Sequence, residues 1–290
     1  GLDLVVPRGG VHGFLGPNGS GKTTTIRMLL GLVRADAGSM QVLGRDVPRH
    51  LPAVMPQVGA VVERPRFFPN FSGRLNLELA ATAAGVAPRR VDAVLEQVGL
   101  AGRDKDSFRS YSLGMQQRLA LAATLLKDPE LLVFDEPTNG LDPSGIHEMR
   151  ETVRGLGREG RTVLVSSHLL SEVEQVADTV SVIGKGSLLA SGSVVELLGA
   201  RASRVRVLVE DSTTAATVLV RAGLQVGTDG PALMVEGAGD PARITRLLAD
   251  EGLYVREMTP VRRDLESVYL ELTSGNSPGE GSGITMQREN

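Results

Sequence analysis

The chain has 290 residues, of which 41% are hydrophobic and 22% charged, and its formal net charge is -3. These proportions exclude wholesale disorder, and no apolar run reaches the ~18–20 residues that a membrane-crossing helix needs. A slightly acidic balance gives no electrostatic support for a nucleic-acid partner. The absence of cysteine removes disulfides, thiolate metal sites and cysteine nucleophiles and suits a reducing compartment.

In chain order, Asp3-Leu4-Val5-Val6 predicts a strand and Pro7-Arg8-Gly9-Gly10 a turn. Residues 1–15 do not read as a secretory leader. The chain opens as if in the middle of a sheet, so an N-terminal truncation is expected. Short, wholly apolar strands are predicted at 11–15, 131–134, 162–166 and 180–183, with helical stretches between them. That alternation predicts a parallel sheet covered on both faces. From about 64 to 130 the periodicity is helical, with helices expected at 74–84, 89–98 and 115–126 and a stop at Pro129. This region reads as a helical insertion in an α/β domain spanning 1–200.

A second region, 203–272, begins with Val205, Val207 and Val209 alternating with polar residues. A helix at 213–221, two short strands around Asp229-Gly230 and a helix capped by Asp240 before Pro241 follow. A strand near 253–257 and a last helix at 264–272 complete a βαββαβ pattern, the split βαβ or ferredoxin-like α+β arrangement. The Gly/Ser/Pro-rich tail, 273–290, is expected to be disordered.

Chemistry concentrates in three places. Gly16-Pro17-Asn18-Gly19-Ser20-Gly21-Lys22-Thr23 fits G-x-x-x-x-G-K-[ST] in full, between a predicted strand and a helical stretch beginning at Thr24. Glycines let successive N–H groups turn toward an anion, and the helix N-terminus adds its dipole. Lys22 would then reach the β- and γ-phosphates of a nucleotide and the Thr23 hydroxyl would ligate Mg²⁺. Second, the apolar run at 131–134 ends in Asp135-Glu136. Two acids at a strand end can be an ordinary loop entrance. Joined to the phosphate loop, Asp135 reads as the Mg²⁺-linked carboxylate and Glu136 as a base that polarises water. Third, His168 follows the strand at 162–166 and could bond a γ-phosphate and orient the water. His12, within a strand, and His50 and His147, in polar surroundings, read as structural or surface groups.

Tyr111-Ser112-Leu113-Gly114-Met115-Gln116-Gln117-Arg118, shortly before the acidic strand end, resembles the signature motif of ATP-binding-cassette ATPases. The form is the variant found among drug- and antibiotic-exporter subunits. Asn139-Gly140-Leu141-Asp142 resembles the loop after the acidic strand in that family, and Ser166-Ser167-His168 its switch histidine. The resemblance implies a P-loop cassette that binds ATP and Mg²⁺ through residues 16–24. It further implies a homodimer or paired cassette with two ATP molecules between the subunits. Each site would be completed by Ser112 and Gly114 of the opposite subunit, with Asp142 among the nucleotide-binding residues and Glu136 and His168 catalytic. It also implies integral-membrane permease subunits as partners and a peripheral place on the cytoplasmic face of the membrane.

The family's glutamine four residues after a glycine has its counterpart in Glu63, four after Gly59, which can ligate Mg²⁺ or a water. Leu113 and Met115 stand where glycine and glutamine are commoner. The family's adenine-stacking aromatic is expected before residue 1. Phe67, Phe68 and Phe71 are expected either in the core of the helical region or in a groove that receives a helix of the membrane partner. The 203–272 region resembles the C-terminal appendage of this exporter branch and reads as regulatory, dimer-stabilising or passive. A non-transport cassette acting on ribosomes or DNA is the alternative. It usually needs two cassettes or a coiled-coil insertion, and this chain has one phosphate loop and no heptad run.

Overall fold

A computed structural model describes residues 1–62, 66–198, 204–261 and 264–273. The chain forms two compact units, one built on Gly1–Val194 and the other on Val195–Glu271.

The first unit contains β1 (Gly10–Leu15), α1 (Lys22–Leu29), β2 (Met40–Val42), β3 (Arg45–Val47), α2 (Leu51–Val54) and β4 (Val58–Val61). The helical insertion follows, as α3 (Gly73–Ala83), α4 (Arg89–Gln97) and α5 (Leu113–Leu125). Then come β5 (Leu131–Asp135), α6 (Pro143–Arg158), β6 (Thr162–Ser167), α7 (Leu170–Glu174), β7 (Thr179–Gly184) and β8 (Ser187–Ser193), with α8 (Val194–Leu198) after it. Six strands make one sheet in the order β4-β5-β6-β1-β7-β8. All neighbours are parallel except the antiparallel pair β7–β8.

Side-chain alternation gives the sheet two buried faces, as a period of two requires. Leu132, Phe134, Val163 and Val165 enter one core, shared with the insertion helices through Leu77, Leu95, Leu119 and Leu125. Val133 and Leu164 enter the other, with Phe14, Ile26 and Ile183. Every residue of β6 is buried, which accounts for its unbroken apolar run up to the serines. The strand order places the C-terminal ends of β5, β6 and β1 side by side. In register, Asp135 lies opposite Ser166 and Leu15 opposite Ser167.

Several expectations are corrected. Residues 3–6 form no strand. Their burial does alternate, with Leu2, Leu4 and Val6 packed on the core, but no segment among the described residues pairs with them. The hairpin β2–β3 turns at Leu43 and Gly44, both at positive φ. Neither it nor β4 and β8 was legible, because each is short or polar. The helix after the phosphate loop begins at Lys22, two residues earlier than expected, and α5 begins at Leu113.

The second unit holds β9 (Arg204–Val209), α9 (Ser212–Arg221), β10 (Gln225–Asp229), β11 (Ala232–Glu236), α10 (Pro241–Ala249) and β12 (Val255–Val261), followed by α11 (Leu265–Thr273). The sheet order is β10-β11-β9-β12, with every neighbouring pair antiparallel. β9 and β10 therefore run parallel, with β11 between them. Val205, Val207, Leu233 and Val235 pack against Leu219 of α9 and Ile244 and Leu248 of α10. Asp240 caps α10 as expected, accepting from the Ala242 N–H. β12 lies further along the chain than the 253–257 expectation. It carries Pro260, which an edge strand tolerates because a missing donor there breaks no second ladder. Of the tail expected to be disordered at 273–290, Thr273 instead ends α11, and 274–290 lies outside the described residues.

Candidate active site

The phosphate loop joins β1 to α1 and closes on itself. A Cβ at Gly16 would lie 2.5 Å from the Ile183 carbonyl oxygen and 2.6 Å from Ser20 Oγ, so only glycine fits that turn. Gly21, the residue before α1, has φ 107°, a conformation that L side chains rarely adopt. Lys22 is almost wholly buried, and its ammonium needs partners to remain charged there. Nζ donates to the carbonyl oxygens of Gly16 (2.7 Å) and Pro17 (3.3 Å) and lies 3.4 Å from Glu136 Oε1. Two of its donors are thus hydrogen-bonded, and the carboxylate balances its charge. The neighbouring Ser20 hydroxyl is buried without a hydrogen-bond partner.

β5 delivers Asp135 and Glu136 to the same end of the sheet. Glu136 has φ 51°, left-handed for a non-glycine residue, which costs about 1–3 kcal/mol and persists only where its surroundings impose it. Its other carboxylate oxygen, Oε2, is 2.8 Å from His168 Nδ1. Glu136 thus bridges a lysine on one side and an imidazole on the other. A cavity of about 350 Å³ opens over this group, lined by Asn18, Gly19, Gly21, Lys22, Thr23, Thr24, Glu136, Asn139 and His168.

The predicted residues fall into two sets. Asn18, Gly19, Gly21, Lys22, Thr23, Thr24, Glu136 and His168 share the cavity, while Gly16, Pro17 and Ser20 shape the turn beneath it. Asp135 sits behind Glu136, its Oδ1 accepting from the Ser166 hydroxyl. Ser112, Gly114 and Asp142 do not line the cavity. Ser112 caps α5, accepting from the Met115 N–H at 3.3 Å, and Asp142 caps α6, accepting from Gly145 N–H at 2.9 Å. The two caps are neighbours: a Cβ at Gly114 would touch Leu141 Cδ2 at 3.9 Å, and one at Gly140 would meet Leu113 Cδ2 at 3.2 Å. Glu63 lies outside the described residues.

Two site residues were read in the sequence only as members of longer motifs, with no role of their own. Asn139 lines the cavity, and Ser166 bonds to both acidic residues of the β5 end. In the sequence Ser166 stood only as a neighbour of His168, and nothing local pointed to its two bonds with the β5 end. His12 is the structural histidine expected: it is buried beside the Thr179 and Ser181 hydroxyls at 2.8 and 3.1 Å. Burial lowers its pKa to about 4. Of the three phenylalanines, one meets the core expectation and two are exposed. Phe67 stacks edge-on against Phe108 in the core, their ring centroids 5.2 Å apart, whereas Phe68 is 60% exposed.

No helix among the described residues is long and apolar enough to cross a membrane. The ABC transporter family model matches residues 1–139. An ABC transporter ATP-binding protein of Bacillus subtilis, YhcH, is 40% identical over 274 residues, which cover 94% of this chain and 90% of that one. The bacitracin transport ATP-binding protein BcrA of Bacillus licheniformis is 36% identical across 96% of this chain and 93% of its own. Among solved structures, an ATP-binding subunit of an ABC transporter superposes with a TM-score of 0.59 at 29% identity, covering 67% of this chain and 82% of that chain. With this loop, these carboxylates and these relatives, the chain belongs to the ABC transporter family as one of its ATP-binding, ATP-hydrolysing cassettes.

Proposed function

We propose that this ATPase powers export of a drug or antibiotic-like cargo through separate integral-membrane permease subunits, docked peripherally at the cytoplasmic face of the membrane. The hydrolytic part of the reading is carried by Glu136, held between Lys22 and His168 in the phosphate-loop cavity, and its exporter part is supported by the likeness to the bacitracin transport ATP-binding protein. Lys22 is the cation that β- and γ-phosphate oxygens would take over from the loop's own carbonyls. The glycine turn and the α1 N-terminus supply N–H donors around it. Glu136 is the base: His168 fixes one carboxylate oxygen, leaving the other to receive a proton from the attacking water once Lys22 turns to phosphate. Asn139 closes the cavity wall.

The donor set fits Mg²⁺, which prefers oxygen ligands and takes few from the protein. The Thr23 hydroxyl and the Asp135 carboxylate would hold it, with Glu63 proposed alongside them. When bound it neutralises charge on the phosphate oxygens.

The helix openings at Ser112-Gly114 and Asp142 lie outside the lining of the phosphate-loop cavity of their own subunit. They are suited to complete the site of a second cassette, in a homodimer or a paired cassette with two ATP molecules between the subunits, where the α5 dipole would meet the γ-phosphate. Phe68 and Phe71, with Leu75 and Leu79 one and two turns along α3, expose large apolar side chains that suit a permease helix. The 203–272 region is read as an accessory domain with a regulatory or dimer-stabilising role. Light scattering tests the central reading. Glu136→Gln is expected to be a monomer without nucleotide and a dimer with Mg-ATP; a single mass in both states refutes the sandwich.

A further inference from the structure

We propose that Ser166 is a positioning residue that sets the geometry of both carboxylates at the β5 end. The proposal rests on reading Asp135 and Glu136 as the carboxylates of ATP hydrolysis. Ser166 is the penultimate residue of β6, is completely buried, and stands in register with Asp135 on the neighbouring parallel strand. A serine hydroxyl has one donor and two acceptor positions, and here both kinds are engaged toward β5. The hydroxyl donates to Asp135 Oδ1 and accepts from the Glu136 N–H at 3.0 Å. With its only proton committed to the carboxylate, its lone pairs point at the amide. The two bonds therefore reinforce one another.

The consequence falls on Glu136. Its left-handed φ of 51° turns the side chain away from the strand and toward Lys22 and His168. The amide bond to Ser166 pins the backbone at that turn. The Ser166 main-chain carbonyl accepts from the same N–H at 3.2 Å, so β5 and β6 remain paired without the hydroxyl. What the hydroxyl adds is angular: it ties Oδ1 of Asp135 to β6 and leaves Oδ2 outside that bond. Alanine, which is smaller, would be enclosed at this position as readily, so burial by itself gives no reason for a hydroxyl.

The test compares Ser166→Ala, Ser166→Thr and Ser166→Cys with the parent full chain. The readouts are steady-state ATP turnover, half-saturating Mg²⁺, and binding of a fluorescent ATP analogue in EDTA. Ser166→Ala is expected to lower kcat by at least ~10-fold, within the range that positioning a base supplies, and to raise the half-saturating Mg²⁺ several-fold. Analogue binding in EDTA should stay within about twofold, because the phosphate-loop contacts of Lys22 are untouched. Ser166→Thr, which keeps the hydroxyl, should restore most of the turnover. Should the alanine variant fail to fold, Ser166→Cys, similar in size but a weak donor and acceptor, is read by the same criteria. Turnover and Mg²⁺ dependence within twofold of the parent overturn the proposal. Glu136→Gln separates the two readings. If it keeps parental turnover, the assignment of the base is wrong. If it abolishes turnover while Ser166→Ala does not lower it, the error lies with Ser166 alone.

Discussion

In the first unit, Asp135 and Glu136 stand at the end of a strand flanked on both sides by parallel neighbours. In the second, four acids that lie along antiparallel strands or at their ends, Glu210, Asp229, Glu236 and Glu257, have arginine partners. Arg204 meets Glu236 at 2.5 Å, Arg206 meets Asp229 at 2.9 Å and Glu257 at 3.8 Å, and Arg256 meets Glu210 at 3.0 Å. A parallel sheet buried on both faces leaves little room for charge except at its strand ends, where loops gather a few groups at close quarters. An antiparallel sheet with one covered face sets charges in rows on the open face, where each finds a neighbour and water. The same residue types thus make a reactive cluster in one unit and a solvated grid in the other.

The most severe way to break this contrast is a matched pair of substitutions. Glu136→Gln should slow ATP turnover at least ~100-fold while leaving ATP binding intact, whereas Glu236→Gln should leave turnover unchanged in the same assay. An equal effect of both would erase the distinction.

Packing sharpens it next. Leu219 is completely buried in the core of the second unit, so Leu219→Ala should cost that unit about 2–5 kcal/mol. In denaturant, its unfolding midpoint should fall while nucleotide affinity measured on the folded protein is unaltered.

Acid should distinguish the units as well. His12 belongs to the first, and no histidine occurs between 195 and 271. With a folded pKa of about 4 against an ordinary 6.5, the unfolded chain binds the extra proton between those values. His12 therefore contributes stability that is present above pH 6.5 and lost as pH falls toward 4, at roughly 1.4 kcal/mol per pH unit. His12→Gln, which keeps a hydrogen-bonding group for Thr179 and Ser181, should flatten that slope in urea titrations of the first unit. An unchanged slope would assign the acid sensitivity to other groups.

The smallest effect belongs to the grid. Arg206 is one-third exposed and shares two acids, so Arg206→Ala should shift stability by less than about 1 kcal/mol. A larger loss of melting stability would show that the open face is not simply solvated.

Local chemistry explains what was legible in advance. The phosphate loop could be read because a tight anion-facing turn needs glycines at fixed spacing, and β5 and β6 because burial on both faces demands unbroken apolar runs. The Asp240-Pro241 cap followed from the needs of a helix's first turn. Those features depend on neighbours within a few residues, and sequence by itself determined them. Tertiary structure decided the rest. Ser166 reaches Asp135 and Glu136 only because β5 and β6 pair in one particular register across some thirty residues. Phe67 enters the core while Phe68 stays exposed because Phe108, far along the chain, arrives beside one of them. Residues 3–6 have the alternation of a strand and no partner to pair with, while β12 is a strand despite Pro260 because it lies at an edge. A strand is a relation between distant segments of the chain, and no single segment contains it.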